Sequence, residues 1–210
     1  MQQYWLFDLD GTLIDSMEIW AGVHIHALQQ AGIPVPPDFV DTITPLGNLR
    51  ASRYTLSMGI PKTLEQYLEE TGEILLREYT RNIPLKPHVK EALEQMKARG
   101  IRLQVLTASP HRFADPCLQR CGIWDLFEHV WTIDDFGLTK GSPEIYLEAA
   151  ARLGALPEQC VMVDDNIFAI TAAKEAGLDT VAVYDRSSAA SEGALRHTAG
   201  RYICSFGELL

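Results

Sequence analysis

The stretch "YWLFDLDGTLID" (residues 4–15) runs four bulky apolar residues straight into two carboxylates, Asp8 and Asp10. Three later stretches carry groups of similar potential. "LTAS" offers the Thr107 hydroxyl followed by Ala108 and Ser109, "TKGSPE" offers the Lys140 ammonium, and "VDDN" offers Asp164 and Asp165. Like charges about 4 Å apart repel by roughly 4 kcal/mol even at an effective dielectric of about 20. Carboxylates gathered in one crevice therefore need a cation, and hard carboxylate and carbonyl oxygens suit Mg²⁺. A metal ion and a lysine among carboxylates would suit a phosphoryl group.

These groups can meet only if the elements carrying them end along one edge. Residues 4–9 form a short apolar run, as in a strand buried on both faces. Residues 16–31 read as a helix stopped by Gly32 and Pro34. Residues 33–48 are broken by Pro34, Pro36, Pro37 and Pro45, and 63–82 is a second helical pattern that Gly72 weakens at its middle. From Val89 the pattern alternates. Helices at 89–100, 111–121, 143–153 and 167–176 interleave with strands at 101–107, 130–133, 160–165 and 180–185. That order predicts an α/β fold with a doubly wound parallel sheet. The mostly helical stretch after the first strand reads as an insertion. The expected division is a catalytic core of residues 1–14 and 86–210 with a small helical cap at 15–85. An insertion at the carboxyl end of a strand, where open α/β sheets bind ligands, would act as a lid.

Composition narrows the choices. The 210 residues are 47% hydrophobic and 22% charged, an ordinary globular balance, and carry a formal net charge of -10. That charge argues against a nucleic-acid groove, although a local cation can still attract an anionic substrate. Cys117, Cys121, Cys160 and Cys204 make no CxxC pair and have no histidine at zinc-finger spacing, so reduced cytosolic thiols are expected. The first residues read as a core strand rather than a leader. No apolar run approaches the ~20 residues of a membrane span.

"DLDGTLIDS", "LTAS", the lysine of "TKGSPEIYLEAA" and "VDDNIFAITAAKEAGL" resemble, in order and spacing, the four motifs of the haloacid dehalogenase superfamily. The likeness spans nearly the whole chain. The insertion resembles the helical C1 cap of the subgroup holding β-phosphoglucomutase and small-metabolite phosphatases such as phosphoglycolate phosphatase. The resemblance implies a Rossmann-like core and a Mg²⁺-dependent phosphatase that works through an aspartyl phosphate. It implies that Asp8 is the nucleophile and that Asp10 protonates the leaving oxygen and then activates water. Thr107 and the amides of Ala108 and Ser109 would hold the phosphoryl oxygens, while Lys140 neutralises nucleophile and phosphoryl group. Mg²⁺ would sit on the Asp8 and Asp165 carboxylates and the Asp10 carbonyl. Asp164 stands where many relatives carry glycine and some glutamate, and reads as an extra ligand, a neighbour of one, or a local variant. Arg50, three residues after Gly47, either meets the distal part of the substrate or is a surface arginine.

Taken singly, each element has a plain structural reading. A DxD at a strand end is usually turn chemistry, a lone lysine is usually on the surface, and Asp164–Asp165 could cap a helix. Those readings fail jointly, because the accidents would have to fall on one sheet edge in family order. Asp15 reads as a hinge residue, and Trp5 and Phe7 as core. His111 either touches substrate or starts a helix. His24 and His26 point to different helix faces and make no metal site. Where some relatives carry a further aspartate this chain has Ala169, so no metal role is assigned there; "TKGSPE" also lacks the proline that often follows the lysine, a tolerable loss because Pro143 and Glu144 remain. Trp20 stands where the mutase carries a histidine that helps control the acid/base aspartate. An indole cannot shuttle a proton at neutral pH, which weighs against a sugar phosphomutase. A dehalogenase would need neither Mg²⁺ nor Asp10, and a non-catalytic binding protein would have no need to keep Asp8 and Lys140. The expectation is a cytoplasmic phosphatase whose partner is a small phosphorylated metabolite. It would engage neither nucleic acid nor membrane and would act as a monomer or weak homodimer.

Overall fold

The computed structural model describes residues 3–210, the Pro45 side chain excepted. The chain divides into two compact units, an α/β core made of the residues up to Asp15 with Ile83–Leu210, and a helical unit, Ser16–Asn82.

The core is built on one six-stranded parallel sheet in the order β3-β2-β1-β4-β5-β6. The strands are β1 (Tyr4–Phe7), β2 (Arg102–Thr107), β3 (His129–Thr132), β4 (Cys160–Asp164), β5 (Asp179–Val183) and β6 (Arg201–Ile203). In the helical unit come α1 (Met17–Gln30), α2 (Phe39–Ile43), α3 (Gly47–Ser57) and α4 (Leu64–Arg81). In the core come α5 (Val89–Ala98), α6 (His111–Arg120), α7 (Pro143–Arg152), α8 (Ile167–Glu175) and α9 (Glu192–Thr198).

β1 is apolar throughout because both its faces are covered. Tyr4 and Leu6 pack with Leu106, Cys160 and Met162 against Ile145, Tyr146 and Ala149 of α7 and Ala172 and Ala173 of α8. Phe7 packs against Phe127 and Phe206, its ring 6.3 Å from each. Alternation along a strand then assigns the next positions. Asp8 follows Leu6 in parity and Asp164 follows Met162, so both carboxylates lie on the α7 side. The strand order also reverses at β1. The chain builds β2 and β3 on one flank, then crosses to β4 on the other. Ligands of open α/β sheets bind outside the carboxyl ends of strands at such a reversal.

The two covalent passages between core and helical unit start from one place in the core. Ile14 and Leu85 form an antiparallel bridge, flanked by Asp15 N to Pro84 O and Lys86 N to Leu13 O, both 3.0 Å.

In the helical unit, α4 begins with a reciprocal capping box between Thr63 and Gln66. It runs unbroken through Gly72 and buries Tyr67, Thr71, Leu75 and Tyr79 at a spacing of four. The proline-broken stretch nevertheless holds α2, and α3 starts within it. Both escape a periodicity reading because α2 is short and α3 buries Ala51, Ser52 and Thr55 rather than large apolar residues. α9 and the three-residue β6 likewise carry no periodic signal in the sequence. Among the described residues, no helix is long and apolar enough to cross a membrane.

Candidate active site

Asp8 extends the β1 ladder, its amide donating to the Val163 carbonyl at 2.9 Å, and its side chain is buried. Lys140 meets it from the loop before α7. The Lys140 Nζ lies 2.5 Å from Asp8 Oδ1 and 2.6 Å from Asp164 Oδ2, bridging the ends of β1 and β4. The loop is held from below, because the buried Tyr146 hydroxyl donates to the Lys140 carbonyl at 2.8 Å. Asp164 Oδ1 accepts the Asn166 amide at 2.8 Å, and Asn166 in turn caps α8 through the Phe168 amide at 2.9 Å.

Asp165 turns toward the loop after β1. Thr12 Oγ1 donates to its Oδ1 at 3.3 Å, and a Cβ at residue 11 would stand 2.8 Å from its Oδ2. Gly11 also has φ 74°, a backbone region that glycine enters freely. Two independent constraints therefore require glycine in the DLDG turn.

One oxygen from each of Asp8, Asp164 and Asp165 can be chosen so that all three lie within 4.8 Å of one another. At that spacing each ionised pair repels by about 3 kcal/mol at an effective dielectric of about 20. Burial pushes the Asp8 carboxyl up to about 7; Lys140 pulls it down, while Asp164 and Asp10 add to the rise. Burial, with Asp164 and Asp8 adding to it, raises Asp165 well above the carboxylate range. Burial acts to lower the pKa of the Lys140 ammonium, but Asp164 and Asp8 outweigh it and keep the group protonated. Three carboxylates against one ammonium leave two formal negative charges, and the donors are hard oxygens. That set fits a divalent cation.

Further expected residues gather here from β2. Thr107 is buried at the strand end, and its Oγ1 accepts the Ser109 amide at 3.0 Å. Ala108 is exposed between them. The Ser109 hydroxyl donates to Asp10 Oδ2 at 2.5 Å. Arg50 lies in the helical unit, exposed on α3. His111 is claimed by two carboxylates, with Nδ1 2.9 Å from Asp115 and Nε2 3.0 Å from Asp135. In the helical unit Trp20 Nε1 donates to the Tyr79 hydroxyl at 2.7 Å.

Sequence reasoning missed three contributors. Tyr146 reads as one more apolar position of α7. Lys86 and Asp185 pair at 2.7 Å, with Lys86 also donating to the Tyr184 carbonyl at 2.9 Å. Both charges bear on Asp165, Asp185 raising its carboxyl and Lys86 lowering it. A lysine beside Pro87 and an aspartate just after a strand gave the only signal, and neither is distinctive alone.

Known proteins share this arrangement of sheet and sequence. A phosphoglycolate phosphatase of Salmonella typhimurium is 35% identical over 83% of this chain and 78% of its own length. A phosphorylated carbohydrates phosphatase of Thermotoga maritima is 28% identical over 84% of this chain and 82% of its own. The crystal structure of a candidate β-phosphoglucomutase from Thermotoga maritima superposes with a TM-score of 0.80 at 25% identity, covering 99% of this chain and 96% of that one. Residues 5–183, which carry all four strand-end motifs, match the haloacid dehalogenase-like hydrolases as a family. With most of its length matched to that family, the chain belongs to the haloacid dehalogenase-like hydrolase family.

Proposed function

We propose that the protein is a Mg²⁺-dependent phosphatase of a small phosphorylated metabolite, acting in the cytoplasm through an aspartyl phosphate. The observation that carries this reading is Lys140 spanning Asp8 and Asp164 with Asp165 alongside. That is one nucleophilic carboxylate held at a strand end beside a protonated lysine and a cation-demanding cluster. The phosphatase names of the relatives support it.

In this reading Asp8 attacks phosphorus and the leaving oxygen departs with a proton from Asp10. Asp10 then takes a proton from the water that opens the aspartyl phosphate. Lys140 neutralises Asp8 before attack and the phosphoryl oxygens during it. The Thr107 Oγ1 already accepts the Ser109 amide, so its own proton is left to donate to a phosphoryl oxygen, beside the Ala108 amide. The Asp8 and Asp165 carboxylates and the Asp10 carbonyl would hold Mg²⁺. Bound there, the ion would neutralise charge on the phosphoryl group. Asp164, paired with Lys140 and with the Asn166 amide, serves to hold the lysine. The helical unit, Ser16–Asn82, acts as the substrate-selecting cap, Arg50 meeting the distal part of the substrate.

A phosphomutase is the second reading, favoured by the likeness to the candidate β-phosphoglucomutase. Trp20 weighs against it, since its N–H is given to Tyr79 and an indole carries no exchangeable base. Phosphorus NMR of the enzyme with Mg²⁺ and β-glucose 1-phosphate, with and without a trace of glucose bisphosphate, separates the two. Release of inorganic phosphate that stops with chelator supports the phosphatase. Glucose 6-phosphate forming faster than phosphate would promote the mutase.

A further inference from the structure

The sequence motif placed Ser109 among the phosphoryl ligands, but its donors are otherwise engaged. Its amide donates to Thr107 Oγ1 at 3.0 Å and its hydroxyl donates to Asp10 Oδ2 at 2.5 Å. The side chain is buried, 4% exposed. The following Pro110 restricts Ser109 to an extended backbone. Thr107, fully buried at the end of β2, anchors the turn from the other side. The hydroxyl is thus aimed from a preorganised loop at an aspartate on a different strand end.

We infer that Ser109 is a positioning residue for Asp10, and that the phosphoryl group is left to Thr107 and Ala108. This rests on the phosphatase reading given above. In the first step an Asp8 Oδ–phosphorus bond forms, the bond from phosphorus to the leaving oxygen breaks, and Asp10 passes its proton to that oxygen. One Asp10 oxygen must face the leaving group while the other is held. Ser109 holds Oδ2. Without it the carboxyl can turn about its terminal torsion, which is broad for aspartate. A misaimed acid matters in proportion to how badly the leaving group needs a proton.

That dependence supplies the test. The kcat/KM of Ser109→Ala is compared with wild type on p-nitrophenyl phosphate, whose leaving group departs without help, and on phosphoglycolate, whose alkoxide does not. Both substrates are run on one preparation, so any unfolded fraction cancels in the ratio. The expected result is a loss on phosphoglycolate about 10-fold or more greater than the loss on p-nitrophenyl phosphate. Ser109→Thr, which keeps the hydroxyl, is expected to restore the wild-type ratio. Equal losses on both substrates would return Ser109 to the phosphoryl ligands, and no loss on either would remove it from the site; each overturns the inference. A wild-type protein inert toward every phosphate ester is a different failure, because it sinks the phosphatase reading itself.

Discussion

The core and the helical unit both bury polar side chains, in opposite ways. The core buries charges of one sign in excess, with Asp8, Asp164 and Asp165 gathered around Lys140. The helical unit buries groups that can stay neutral, and it pairs them with one another across its helices. The His24 ring stacks on Tyr67 with its Nδ1 2.8 Å from the hydroxyl, and Thr55 donates to the Ala51 carbonyl at 2.8 Å. Trp20 and Tyr79 form a second such pair. A buried charge cluster is a poor source of stability unless every member is compensated, whereas a satisfied neutral pair contributes modestly at little risk. On the proposed function the difference has a reason: the core tolerates destabilising groups because the chemistry requires them.

The largest test of this contrast is Asp8→Asn. It is expected to cut kcat by about 10⁴-fold or more while raising the melting temperature of the chelator-treated protein. A variant that melts earlier than wild type would break the comparison. Lys140→Met comes next and should separate the two effects differently. Activity is expected to fall by about 10²- to 10³-fold. The metal-free protein should lose about 3 kcal/mol, because Asp8 and Asp164 are left buried without their partner. Denaturant titration with and without Mg²⁺ reads this, and a neutral effect on stability would show that the ammonium is not compensating them.

The third test uses pH, where the two units have slopes of opposite sign. Burial holds the His24 imidazole down at about 4, below its unfolded value of about 6.5. Its stabilising contribution is complete above about 6.5 and is lost as pH falls toward 4, by up to about 3 kcal/mol. In the core the Asp8 carboxyl is raised to about 7, so the folded state takes up a proton before the unfolded chain does. Metal-free core stability therefore rises as pH falls from about 7 toward 4. Amide hydrogen exchange resolves the two units. Protection in α1 and α4 should decline on acidification while protection in β1 and β4 increases, and His24→Phe should abolish the decline. Parallel slopes in both units would remove the distinction. The smallest expected effect is that of Trp20→Phe, which deletes the hydrogen bond to Tyr79. It should cost about 1 kcal/mol and change kcat less than about twofold, as read by melting and steady-state turnover.

What the sequence could tell follows the same division. Asp8, Asp164 and Asp165 were legible because buried parallel strands are short apolar runs, and a charge at the end of one must lie at the sheet edge; Lys140, in the loop before α7, stood out only through its resemblance to the family motif. Direction was less legible. That Asp164 faces Lys140 while Asp165 faces Gly11 and Thr12 follows from strand parity, which needs the register to be known. Ser109 on Asp10 and the Lys86–Asp185 pair join residues distant in the chain, and Tyr146 reaches back six positions to the Lys140 carbonyl, a contact that no periodic pattern announces. In the helical unit α3 hid because its buried face is small and polar, and Pro34, Pro36, Pro37 and Pro45 obscured what lay around α2.

The bridge between Ile14 and Leu85 has a consequence for how the chain comes together in time. β1 precedes its neighbour β2 by a long stretch of chain, Tyr4 and Arg102 being separated by 98 positions. Closing so long a loop is an entropic burden on folding, and long-range pairing of this kind is intrinsically slow. The helical unit, however, leaves and re-enters the core at adjacent residues. If Ser16–Asn82 folds first, the loop that remains to be closed shrinks to roughly a third, lowering its closure cost by about 1 kcal/mol. The segment that interrupts the sheet in sequence thereby becomes a clamp on its nucleus. Destabilising it should slow refolding of the core as well as weaken its own helices.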